Sequence, residues 1–333
     1  MKKIFLFTIC FLFLIFAFRF YSFEKAINTP LDPKSSQKVI FEIKPGSSAK
    51  LIATNLEKEG LVKDKSLVLT YLKFRGSPLL KAGIYQLSKD MSLKEIIDIL
   101  IKGAMIERWI TIPEGWRLDQ IASYLEQENI VKKEEFLQKA KVIYFKKDYP
   151  FLKGLKNTSS LEGYLFPDTY RIFVNSSPEE IIRKFLENFE NKIAKFETEL
   201  KNSEFTLHQI ITLASIIERE TRTPEDRRIV SGIFQKRLKL NKPLESCATI
   251  AYIKKQDKYR FSFEDTRINS PYNTYINFGL PPGPICNPGL DSIEAVFYPK
   301  ETDYLYFMSP PDGSIIYAKT YQEQLENMRR YFK

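Results

Sequence analysis

The chain has 333 residues, 44% hydrophobic and 28% charged, ordinary for a globular protein with room for two or three cores. A net charge of +10 suits an anionic partner such as nucleic acid, anionic lipid or an acidic wall polymer. Yet the basic residues alternate with acidic ones, as in Glu225-Asp226-Arg227-Arg228, and no nucleic-acid motif accompanies them. The single histidine, His208, and the three cysteines form no ligand cluster, which argues against a zinc site; no metal or other cofactor is expected. A histidine-dependent nucleophile would have to use His208, which no motif supports.

The opening, MKKIFLFTICFLFLIFAFRFYSF, places Lys2 and Lys3 before an apolar run from Ile4 to Phe18 that reaches Phe23 if Arg19 snorkels. Bulky aromatics stand where a signal peptidase would need small residues, and the run continues well past Cys10, so neither a cleaved signal nor a lipoprotein fits. Residues 1–23 are therefore expected to be an uncleaved single-pass anchor with its N-terminus in the cytoplasm and the remaining chain outside. Residues 24–36, with two prolines, read as a linker.

Two later stretches align at a constant offset: Ile43 with Ile112, Gly46 with Gly115, Ile52 with Ile121, Leu56 with Leu125 and Val62 with Val131. Each reads as strand, turn and amphipathic helix, an internal repeat. A short strand and a helix with Leu93, Ile96, Ile97 and Leu100 on one face separate them. Residues 37–105 thus suggest a small β-α module, similar to LysM-like carbohydrate-binding units in size and order. Residues 106–333 are expected to form a larger mixed domain, making the fold class α+β.

Within that domain, LEGYLFPDTY packs Glu162, Tyr164 and Asp168 among aromatics, and helices are expected at 178–200 and 207–220. The second opens with a Thr206–Gln209 capping box and carries Ile210, Leu213, Ala214 and Ile217 on one face, with Glu218 and Glu220 at its edges and Arg219 pointing away. Such carboxylates serve either as half-exposed ion pairs or as an acid whose proton is retained in apolar surroundings. Another helix starts at Thr223-Pro224 and turns Ile229, Val230, Ile233, Phe234 and Leu238 inward. The Pro- and Gly-rich segment 270–289, with Tyr272, Asn273, Thr274 and Tyr275 at its entrance, is a long loop of the kind that serves binding. A hairpin across Pro310-Pro311-Asp312-Gly313 and a final helix close the chain. Cys247 and Cys286 either pair in an oxidising compartment or stay as thiols.

Tyrosine faces and amide donors suit sugar rings, and glycoside cleavage needs a carboxylic acid for the leaving oxygen. Most glycosidases add a second carboxylate; Glu162, Asp168 and Glu220 are all candidates, and spacing does not choose among them. The motifs LEGYLFPDTY, LASIIERET and SPYNTY…GLPPGPICNPG resemble the YceG-like family, the MltG endolytic murein transglycosylases, in the same order along the chain. The resemblance implies a membrane-anchored bacterial enzyme, its catalytic domain on the outer side of the inner membrane. It would cut peptidoglycan strands internally between N-acetylmuramic acid and N-acetylglucosamine, leaving 1,6-anhydromuramic ends. It also implies that Glu218 is catalytic, first as acid and then as base toward the muramic C6 hydroxyl, with no second carboxylate required. Glu162, Tyr164, Asp168, Glu220, Thr249, Tyr272, Asn273 and Tyr275 are the candidate substrate contacts. Membrane-bound peptidoglycan synthases are candidate partners, and nucleic acid is not. The chain departs from the family pattern at Cys247, where an aspartate is common, and at Ile315 and Gln324, where histidines are common; roles tied to those side chains do not carry over. The rival readings are a muramidase using water and a non-catalytic wall-binding scaffold.

Overall fold

The computed structural model describes residues 2–103, 107–173, 176–257, 261–310 and 313–331, with backbone alone over 2–10 and 12. The side chains of Lys2, Lys3 and Cys10, and the expected hairpin tip at Pro311-Asp312, lie outside the described residues. The architecture mixes helices with small two-stranded sheets and divides into two compact units. One comprises Met1–Arg108 with Phe173–Asn175, the other Trp109–Ile172 with Ser176–Lys333.

The first unit runs α1 (Lys2–Asn28), β1 (Lys38–Ile43), α2 (Ala49–Lys58), α3 (Lys65–Phe74), β2 (Gly83–Ser88) and α4 (Leu93–Lys102). β1 and β2 are antiparallel, with Phe41 opposite Tyr85, and both rings are buried with Ile52, Leu56, Ile96 and Leu100. Such a face must be covered to offset chain entropy, and the helices cover it. α3, absent from the expected order, starts where Asp64 caps the Ser66 amide. The far end of α1 docks here: Ile27 is buried and Phe23 meets Tyr71 and Phe74. Before that point Phe11, Phe13, Phe16 and Phe18 are exposed. Among the described residues no helix is long and apolar enough to cross a membrane.

The second copy of the repeat follows as β3 (Glu107–Thr111), α5 (Leu118–Gln127) and α6 (Lys133–Lys139). The two copies share a left-handed glycine before the helix, Gly46 and Gly115, which only glycine adopts without strain. They also share an apolar helix face, Ile52, Ala53 and Leu56 in one and Ile121, Ala122 and Leu125 in the other. β3 pairs with β4 (Thr169–Phe173), and the Ile112 amide continues the contact to the Asp168 carbonyl.

Then come α7 (Pro178–Ile193), α8 (Glu197–Asn202), α9 (Leu207–Glu220), α10 (Pro224–Lys239), α11 (Cys247–Lys254), α12 (Leu290–Phe297), the antiparallel strands β5 (Tyr306–Met308) and β6 (Ile316–Ala318), and α13 (Tyr321–Tyr331). The Thr206–Gln209 capping box forms, and Thr223 caps α10 through the Asp226 amide. One expectation for α9 is corrected: it is buried all round from Ile210 to Ile217, not on one face. Helices α10, α11 and α12 pack on it, and the loop 270–289 returns over the remainder. Its polar Ser215 is accommodated because the hydroxyl donates to the Thr212 carbonyl and accepts from the Ile285 amide.

Candidate active site

α9 ends at Thr221, whose backbone is extended and whose hydroxyl takes the Ile217 carbonyl. This stop leaves Glu218 in the last turn with its side chain only 6% exposed. The surroundings correct the expectation of apolar walls: they are donors. Oε2 accepts from the Gly289 amide at 2.9 Å and the Ser292 hydroxyl at 2.8 Å, at the start of α12. Oε1 accepts from the Arg227 guanidinium at 3.2 Å. Arg227 is itself buried, donating also to Ser292 Oγ at 3.0 Å and to the Arg222 carbonyl. Because only three residues separate Glu220 from the start of α10, its first inward-facing turn delivers Arg227 to the end of α9.

The second carboxyl beside Glu218 is none of the three considered from sequence. It is Glu114, whose Oε2 lies 3.9 Å from the same Arg227 nitrogen. Asp291 lies 3.8 Å from the other guanidinium nitrogen. Burial raises the Glu114 carboxyl above its usual range, and the Glu218 and Asp291 charges add to this against the pull of Arg227. One guanidinium thus faces three carboxyls, and Glu114 is the one pushed toward its protonated form. Glu114 had a sequence signal: it occupies the turn position where the first repeat copy has Pro45. Ser292 and Arg227 had none beyond lying near a motif.

Asn287, in the long loop, ties the site together. Its side-chain oxygen accepts from the Gly163 and Leu165 amides, and its amide nitrogen donates to the Trp116 carbonyl and to Glu162. Its own backbone exchanges bonds with Gly115 and Trp116. LEGYL, the Glu114 turn and the loop leading to Gly289 are therefore one hydrogen-bonded body.

Among the candidate substrate contacts, Glu162 and Tyr272 come together, lining a cleft of about 410 Å³ with Arg117 and Tyr252. The others are engaged elsewhere. Tyr164 is buried in the core, its hydroxyl on His208 Nδ1 at 2.8 Å, while His208 Nε2 meets the Pro282 carbonyl at 2.9 Å. A carbonyl only accepts, so Nε2 carries the proton and Nδ1 accepts from the tyrosine. Asp168 accepts from Thr169, Asn188 and Lys192, joining β4 to α7. Asn273 is fully buried, donating to the Thr266 and Ile268 carbonyls and accepting from the Tyr275 amide. Thr249 is buried on Thr274 and the Ser246 carbonyl. Tyr275 pairs its hydroxyl with Cys247 Sγ. Glu220 caps α11 through the Ser246 hydroxyl and the Ala248 amide; burial raises its carboxyl and those donors oppose the rise. Polar residues in the loop motifs thus mostly satisfy backbone groups that a long ordered loop leaves open.

Cys247 and Cys286 are free thiols, Cys286 buried against the Ser215 carbonyl. Ile315 packs against the core, while Gln324 donates to the Phe307 carbonyl but leaves its own side-chain oxygen buried with no partner among the described residues. Among the described residues there is no group of side chains able to hold a metal. A larger open depression of about 640 Å³, bordered by Gly232, Lys236, Lys300 and Thr302, contains none of these residues.

The model of the YceG-like family matches residues 41–330. An endolytic murein transglycosylase of Bacillus subtilis is 35% identical over 93% of this chain and 89% of its own. One from Streptococcus pneumoniae is 33% identical over 96% of this chain and 64% of its own. The crystal structure of a YceG-like protein from Listeria monocytogenes superposes with a TM-score of 0.61 at 34% identity, covering 87% of this chain and 99% of that one. With a family match over most of its length and relatives of this similarity, the chain belongs to the YceG-like family.

Proposed function

We propose that the chain is an endolytic murein transglycosylase in which Glu218 does the chemistry. The observation that carries this reading is the Glu218 carboxyl, enclosed and aimed by Gly289, Ser292 and Arg227 at the end of a fully packed helix. A group fixed in this way needs no reorganisation as charge develops. Glu218 gives its proton to the glycosidic oxygen as the bond to muramic C1 breaks, and the N-acetylglucosamine leaves with a free hydroxyl. The muramic C6 oxygen then bonds to C1 of the same sugar and returns its proton to Glu218. No water is consumed, and the intramolecular attack is worth up to ~7–11 kcal/mol over recruiting a separate nucleophile. Glu114 and Arg227 govern the proton and charge of the pair.

A hydrolase would need the second carboxyl across the sugar from the first. The carboxyl beside Glu218, Glu114, instead shares Arg227 with it, the guanidinium bonded to Glu218 and 3.9 Å from Glu114. Intramolecular attack is thereby favoured over attack by water.

The remaining parts of the reading concern place. The exposed phenylalanines of α1 support a membrane anchor, with the catalytic unit on the outer face where new glycan emerges from membrane-bound synthases. The order strand, two helices, strand in residues 37–105 supports a LysM-like glycan-holding module ahead of a catalytic domain spanning 106–333. The test is mass spectrometry of fragments from uncrosslinked glycan strands: anhydromuramic ends support the reading, and free reducing ends replace it with hydrolysis.

A further inference from the structure

The cleft beside LEGYL is built around a carboxyl that the proposed reaction leaves unused. Glu162 is only 7% exposed. The hydrogen bonds it receives from described neighbours, the Leu118 amide at 2.9 Å and the Asn287 amide at 3.4 Å, both fall on Oε1. Oε2 is the oxygen left for a ligand. The same cleft is lined by Tyr252 and Tyr272, ring centroids 4.9 Å apart, and by Ser160 and Ser270. Of the two described cations on its lining, Lys255 is exposed to solvent, and Arg117 is buried and already committed to Asp119 and Asp257. A second ion pair, Arg219 to Asp257, links this wall to the residue next to Glu218.

We propose that this cleft binds a neutral secondary amide of the glycan strand, its carbonyl oxygen accepting from Glu162 and its carbon substituent lying on the Tyr252–Tyr272 pair. This rests on the murein reading of the Glu218 site and names the group recognised next to it. The geometry asks for a neutral ligand: Arg117 and Arg219 are balanced by Asp119 and Asp257, Lys255 is turned to solvent, and the two tyrosines supply much of the remaining lining. Burial raises the Glu162 carboxyl to about 8, with Asp119 pushing the same way and the Leu118 amide and Arg117 opposing. Below that pH it carries a hydrogen to donate; above it, two lone-pair oxygens would face the ligand's carbonyl. Among the described residues the other titratable groups around it are Tyr252 and Tyr272, both raised by burial, the buried Cys286 thiol, and Lys255 on the cleft wall.

Strands offer such an amide from two sources, the acetamido groups of the sugars and the peptide bonds of the stems. The experiment measures binding of the full-length Glu218→Gln protein to uncrosslinked strands by calorimetry from about pH 6 to about pH 10. The expected result is binding that weakens about tenfold as pH rises through the Glu162 transition. Glu162→Gln, which keeps an acceptor on the Leu118 amide and a fixed N–H donor, should remove that pH dependence. Strands stripped of stem peptides and strands stripped of acetyl groups then identify the source, since loss with either supports the assignment. A pH dependence that survives Glu162→Gln, or equal binding of strands lacking both amides, overturns it. If Glu162→Gln proves unfolded by thermal melting, Tyr252→Leu replaces it, with about tenfold weaker binding expected at low pH and unchanged binding contradicting the proposal. Wild-type protein that shows the pH signature but releases no anhydro ends would refute the proposed reaction and leave the cleft standing.

Discussion

Gly289 gives its amide to Glu218 while its α-carbon faces Glu114 so closely that a β-carbon there would lie 2.0 Å from the Glu114 carboxyl. Its φ of −74° is open to any residue, so space alone requires glycine. Gly289→Ala should therefore displace Glu114 or tilt the amide from Glu218, lowering turnover about 10–100-fold. Adding Glu114→Ala relieves the clash, so the double variant should lose less than the product of the two single losses. Release of anhydro ends by the four proteins measures this; fully multiplicative losses would mean that the two side chains do not meet.

Glu162 predicts a pH slope in stability. The folded chain keeps its proton up to about 8, whereas an unfolded glutamate loses it near 4.5. Between those values the folded state binds the extra proton, so this contribution is fully present below the window and falls as pH rises through it. Its size is a few kcal/mol at roughly 1.4 kcal/mol per pH unit. Denaturant melts of wild type and Glu162→Gln across that range should diverge, the variant being flatter.

His208 is expected to act through the loop and not through chemistry. Its ring bridges Tyr164 on one side and the Pro282 carbonyl on the other. His208→Phe removes both bonds and leaves a buried hydroxyl unpaired, costing about 1–3 kcal/mol of stability. Turnover should fall several-fold through looser placement of Gly289, with an unaltered pH profile. A shifted profile would give the histidine a role in proton transfer.

The exposed face of α1 predicts separable activity and placement. Removing residues 1–22 and exporting the remainder should leave cleavage of isolated strands intact while strands in cells lengthen. Normal strand length at native abundance would contradict the proposal that α1 places the activity at the membrane.

Much of the second unit was legible because local rules and packing agree there. The capping box at Thr206, the proline start of α10 and the constant offset between Gly46 and Gly115 each survive into the structure. Periodicity missed how deeply α9 is buried, since its outer face carries Thr212 and Ser215, polar residues that satisfy themselves within the helix and loop. The roles of the motif residues were less legible. Asn273 and Asn287 have the same chemistry whether they bind sugar or hold a loop, and only their partners decide. Glu220 and Glu218 differ by two positions yet face opposite tasks, one capping α11 and one bonded to α12, because the next elements arrive on opposite sides. Helices α3, α11 and α12 are each short and stand among β-branched or aromatic residues, where sequence period separates helix from loop poorly.

The most direct test of the account is the product of Glu218→Gln on uncrosslinked glycan strands. The variant keeps an acceptor for Gly289 and Ser292 but has no proton to give. It should fold, bind strands, and release anhydro ends at a rate lower by about 10²–10⁴. Turnover within a few-fold of wild type would contradict the assignment of Glu218 and the mechanism built on it.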